Sequence, residues 1–131
     1  MSTQSPQAGQ FCWNELLTPD TKKAKEFYGN LLGWIPQEKS VGDMTYTTFM
    51  SQDKPVAGML QCPEGESHIP PHWMSYIYVE DLQATLEKAK TLGADIVRPI
   101  TVIEGMGSFA VIKDPTGAYI SLWQSSEAAT C

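Results

Sequence analysis

Long apolar runs are absent from this chain, and so is any excess of positive charge. Nothing approaches the roughly 18 consecutive apolar residues that cross a bilayer. The opening MSTQSPQAGQ lacks the basic end and apolar run of a secretory leader. Nine Lys and Arg stand against fifteen Asp and Glu, a net charge of −6. Such a surface repels phosphate backbones and anionic lipids, which disfavours nucleic-acid and membrane partners. Cysteine is scarce as well. Cys12, Cys62 and Cys131 form neither an even disulfide framework nor a CxxC metal knuckle, so reduced thiols and a soluble, cytoplasmic protein are expected. Cys12, in an apolar run without basic neighbours, fits a small core residue better than a nucleophile. Histidine is limited to His68 and His72, and His68 falls in a Pro-rich stretch where solvation is its ordinary state.

What is present is enough for one domain. At 131 residues and 42% apolar the chain can bury one ordinary core, not two. Residues 1–10 read as a flexible lead, 11–124 as the domain and 125–131 as a tail. FCWNELLT suits a half-buried strand, and Thr18-Pro19-Asp20 supplies helix-cap chemistry. Ala24, Phe27, Tyr28, Leu31 and Leu32 then recur at helical spacing, and Gly33 fits a left-handed helix stop. WIPQEK, TYTTFMS and VAGMLQC follow as strands separated by turn residues. After a Pro- and Gly-rich linker at 62–72, the order returns: the strand WMSYIYV, a helix capped by Asp81 and stopped by Gly93, then DIVRPITVI, GSFAVIKD and AYISLWQ. Asp20 matches Asp81, Leu32 matches Leu92 and Gly33 matches Gly93 at an offset of 60 or 61. A fixed period dictates architecture. The expectation is an α+β fold of two tandem βαβββ modules, 11–61 and 73–124, whose sheets form a U-shaped mixed sheet around a cavity. Glu104 to Gly107 and Asp114 to Gly117 read as turns, since neither has the strand-to-helix context of a phosphate loop.

FCWNELLTPDTKKAKEFYGNLLGW, MSYIYVEDLQATLEKAKTLGAD and KDPTGAYISLWQ together resemble the glyoxalase/bleomycin resistance/dioxygenase group, the vicinal oxygen chelate superfamily. More closely they resemble a single-domain bacterial glyoxalase-like branch. The resemblance covers Phe11 to Gln124 and implies a cavity for a small-molecule ligand and, often, a homodimer. Many members hold a divalent metal through His, Glu or Gln on the first and last strands of each module. Counting from the helix caps places those positions at Trp13 and Met74; counting from the turns places them at Met59 and Ser121. None of the four suits a hard or borderline divalent ion, so no cofactor is expected. The alternative is a register slip of two, which keeps the face and brings Glu15 and His72 to the ligand level, reviving a divalent metal and a metal-dependent lyase or dioxygenase.

Strand alternation assigns the cavity face to Trp13, Glu15 and Leu17, to Ala57, Met59 and Gln61, to Met74, Tyr76 and Tyr78, and to Ser121 and Trp123. The ligand-binding candidates are Trp13, Met59, Met74, Tyr76, Ser121 and Trp123. Their aromatic and thioether surface suits a small, partly aromatic or apolar molecule, although tryptophans in such places also serve as core filler. Glu15 is the catalytic candidate. A carboxylate among apolar side chains needs partners, or its pKa rises into the range of a general acid or base. Those partners are a ligand, Tyr76, or a helix amide or cation that serves only the fold. Two functions follow: sequestration of a small molecule, or catalysis as a lyase or isomerase.

Overall fold

Asp20 and Asp81 each turn a side-chain oxygen onto an amide three residues on, Lys23 N at 3.0 Å and Ala84 N at 3.1 Å. These two bonds start the helices. The computed structural model describes residues 7–41, 44–61, 70–103 and 105–126; Cys62, His68, Glu104, Cys131 and most of the expected linker lie outside them. Helix α1 spans Thr21–Leu32 and closes on Gly33 at φ 74°, whose amide bonds Gly29 O. Helix α2 spans Leu82–Thr91, with Gly93 at φ 99° beyond it. Both left-handed stops are positions where a Cβ is penalised.

The strands are β1 (Phe11–Thr18), β2 (Ile35–Val41), β3 (Met44–Ser51), β4 (Lys54–Gln61), β5 (His72–Tyr78), β6 (Asp95–Ile103), β7 (Gly107–Lys113) and β8 (Tyr119–Ser125). The described residues divide into two compact units, one within Trp13–Met74 and the other made of the described residues before Trp13 and after Met74. Within the first, β2 pairs antiparallel with β3, β3 antiparallel with β4, and β4 parallel with β1. Within the second, β6 pairs antiparallel with β7, β7 antiparallel with β8, and β8 parallel with β5. The sequence repeat is therefore a repeat of pairing and direction, two βαβββ units in an α+β fold. Residues ahead of β1 are tied down, since Gly9 N donates to Tyr78 O and Tyr78 N donates to Gln10 O, both at 2.9 Å.

Each helix covers one face of its own sheet. In the first unit Leu16, Phe49, Ala57 and Met59 form the buried cluster, with Ala24 and Tyr28 of α1 and Trp34 packed on it. Tyr28 stacks on Trp34 at 5.5 Å and meets Trp73 edge-on at the same distance, while Trp73 Nε1 donates to the Tyr28 hydroxyl at 3.1 Å. In the second unit Leu82 and Leu86 of α2 pack with Val79, Ala110, Ile112 and Leu122. The expected stripe of α1 is only half used. Ala24 and Tyr28 reach the core, whereas Phe27, Leu31 and Leu32 are more than half exposed, so the sheet covers a narrower face of the helix than its apolar stripe.

Candidate binding site

The faces turned away from the helices carry a second set of polar and aromatic groups. On β1, Leu16 faces the helix-side core, so its neighbour Glu15 and, two residues back, Trp13 occupy the other face. Glu15 is 4% exposed and opposes Gly58 on β4. Tyr46 reaches this face from β3. Its hydroxyl accepts a 2.8 Å hydrogen bond from Trp13 Nε1 and donates one to the Glu15 carboxylate. Burial, with the Glu15 charge adding to it, pushes the Tyr46 phenol far above its ordinary range. The hydroxyl therefore stays protonated and faces the carboxylate as a donor. A buried carboxylate is costly unless hydrogen-bonded, and Tyr46 is one partner the fold supplies.

In the second unit Tyr76 opposes Ser121 and Tyr78 opposes Trp123 across β5 and β8, with Phe109 and Val111 of β7 in the same rows. The Tyr76 ring meets Phe109 at 6.1 Å and Trp123 at 6.4 Å, both edge-on. Arg98 lies over the Phe109 ring at 5.5 Å. Ser121 is fully buried, and its Oγ has no hydrogen-bond partner. Met74 is buried and alternates in step with Tyr76.

One expected face is corrected. Met59 and Ala57 belong to the helix-side core with Leu16 and Phe49, and the pairing of Met59 with Leu16 and Thr47 puts Gly58, not Met59, in the row of Glu15. The assignment of β4 was off by one residue, which exchanges its faces. Sequence reasoning also missed Tyr46 and Arg98. A mid-strand glycine in VAGMLQ was the available signal, since glycine there marks a close approach by something else.

The positions indicated for a metal do not fit one. Trp13, Met74 and Ser121 offer no imidazole or carboxylate, and Met59 faces the helix side. His72 Nδ1 lies 2.9 Å from Pro70 O, leaving Nε2 buried without a partner. That is the arrangement of a single metal-ligating histidine. Among the described residues, however, no three His, Cys, Asp or Glu side chains gather to complete such a set, and a held metal normally takes three or four protein ligands.

With this geometry in place, comparison with known proteins is informative. The model of the Glyoxalase/Bleomycin resistance protein/Dioxygenase superfamily matches residues 10–122. CFP32 of Mycobacterium tuberculosis, which carries a glyoxylase name, is 34% identical over 117 residues, covering 87% of this chain and 45% of that protein. The anthracycline biosynthesis protein DauV of a Streptomyces species is 30% identical over 129 residues, covering 88% of this chain and 47% of its own length. The chain thus spans about half the length of these curated relatives. The crystal structure of methylmalonyl-CoA epimerase from Mycobacterium tuberculosis superposes with a TM-score of 0.64 at 18% identity, over 96% of this chain and 93% of that one; at that identity the likeness shows the fold alone.

Proposed function

This chain belongs to the glyoxalase/bleomycin resistance protein/dioxygenase superfamily, and from that premise we propose that it binds a small, partly aromatic molecule on its helix-free sheet faces, without a metal, in the cytoplasm. Glu15 carries the reading. A carboxylate 4% exposed and hydrogen-bonded by a half-buried phenol is an expensive way to stabilise a strand. It is a good way to hold a ligand's ammonium or hydroxyl group. Trp13, beside it in the same unit, supplies ring surface for a flat molecule.

The anthracycline name of DauV suggests a probe that combines both features: an anthracycline, a planar aromatic ring system bearing an amino sugar. Titration into the protein in the presence of a chelator is expected to quench tryptophan fluorescence saturably, and Glu15→Gln to weaken the binding roughly tenfold or more. Binding that needs a metal, with stoichiometric metal in the purified protein, overturns this reading in favour of the metal-dependent lyase or dioxygenase.

The glyoxylase name of CFP32 supports a second reading, in which Glu15 moves a proton and the bound molecule is turned over. Loss of turnover in Glu15→Gln with binding retained favours it over sequestration. A homodimer, the assembly that members of this superfamily often form, is proposed as well.

A further inference from the structure

Gly58 sits in the interior of β4, opposite Glu15 on β1 and Thr48 on β3. Glycine weakens a strand, and a strand interior has no conformational need of it. The φ of Gly58 is not in the left-handed region, so space is the remaining reason. A Cβ built there would lie 1.7 Å from the Tyr46 hydroxyl oxygen, 2.5 Å from Tyr46 Cζ and 2.8 Å from Trp13 Nε1. The end of the Tyr46 ring fills the volume that a side chain at 58 would occupy.

Seated there, the phenol has its bonds divided between two neighbours. Its oxygen accepts from Trp13 Nε1, which leaves its single O–H for Glu15. A carboxylate offers about four lone-pair positions, and the bond from Tyr46 engages one of them and restrains how the carboxylate turns. Trp13 and Tyr46 have each spent their one polar hydrogen inside the cluster. An approaching acceptor such as a carbonyl or carboxylate meets no donor from Trp13 or Tyr46, while an approaching donor meets the Glu15 carboxylate.

We propose that Tyr46 is the positioning residue of this site: held in the space Gly58 leaves, it orients the Glu15 carboxylate so that the site selects ligands presenting an ammonium or hydroxyl group. The proposal rests on the reading of Glu15 as the ligand anchor, and its test separates the two. The first arm uses protein labelled with ¹⁵N-tryptophan and no ligand. The Trp13 indole N–H, assigned with Trp13→Phe, is expected to exchange with water at least tenfold faster in Tyr46→Phe. Its resonance is expected to move in Glu15→Gln, while Trp34, Trp73 and Trp123 stay in place. The second arm compares an anthracycline with its N-acylated form, which keeps the rings and loses the cation. Wild type is expected to prefer the amine roughly tenfold or more, and Tyr46→Phe to cut that preference about three- to tenfold while binding the acylated form unchanged. Gly58→Ala is expected to act as Tyr46→Phe does; Tyr46→Phe, which keeps the ring, decides if Gly58→Ala does not fold.

Equal weakening of both probes by Tyr46→Phe overturns the selection, since a merely structural residue would act that way. A Trp13 resonance indifferent to Tyr46→Phe and Glu15→Gln overturns the positioning. Failure of wild type to bind either probe overturns Glu15 as a ligand anchor and the selection with it, and the resonance then judges the positioning by itself.

Discussion

Asp114 gathers three hydrogen bonds onto one oxygen within a single turn, from Thr116 Oγ1 at 2.6 Å, Thr116 N at 2.8 Å and Ala118 N at 3.0 Å. Donors of this kind favour the charged carboxylate, and the Thr116 hydroxyl foremost among them holds Asp114 below the ordinary aspartate range. The sign follows from linkage: a carboxyl whose folded pKa is depressed stabilises the fold above its unfolded pKa, and loses that contribution as pH falls through the folded value. A carboxyl-detected NMR titration is expected to find Asp114 titrating below the ordinary aspartate range, with the turn holding through neutral pH and loosening only in acid. This turn was legible from Asp-Pro-Thr-Gly because all its partners lie within four residues. Glu15 was legible as a buried carboxylate for a similar reason, its apolar neighbours being adjacent in sequence. Tyr46 was not. It stands more than thirty residues away, on a strand that reaches Glu15 only across β4, so finding it required the register of two pairings at once.

At the scale of the strand, alternation identifies two faces but does not say which one is covered. On β5 and β8 the choice agreed with the structure, since Tyr76, Tyr78, Ser121 and Trp123 share rows opposite to the α2 core. On β4 it failed, because Ala57 and Met59 carry the conspicuous side chains while the position facing Glu15 carries none. Met59 is fully buried with Leu16 and Phe49 beneath α1. Met59→Ala is therefore expected to destabilise the protein by about 2 to 5 kcal/mol, measured by urea denaturation. Anthracycline binding under native conditions should change little. A ligand-contacting Met59 would show the reverse, a large loss of affinity with a small loss of stability. The helix boundaries were the most legible elements of all. Asp20, Gly33, Asp81 and Gly93 fix the ends by chemistry local to each end, and no distant contact can override a left-handed glycine cheaply.

Over the whole chain the repeat governed what could be foreseen. An offset of 60 or 61 residues was enough to expect two βαβββ units, because a unit that repeats its caps and stops repeats its pairing. The exposure of Phe27, Leu31 and Leu32 was not foreseeable, since helical spacing alone does not tell how wide a face the sheet beneath will cover. The proposed homodimer is checked by light scattering, where the expected mass is that of two chains; a mass of one chain over the micromolar range would remove the second copy from the proposal.

The parallel pairing of β1 with β4, and of β5 with β8, sets an order in time as well as in space. Glu15 finds Gly58, and Tyr76 finds Ser121, about forty residues further along the chain. The hairpins β2–β3 and β3–β4 are local and can form as they are synthesised. In each unit the strand made first thus waits longest for its neighbour. Closing that gap carries the loop entropy of the whole unit and belongs to the slow class of folding steps. Glu15, Tyr46 and Gly58, spread over β1, β3 and β4, come together only when that last strand docks, so a chain cut short before residue 58 can build α1 and the β2–β3 hairpin but never this site.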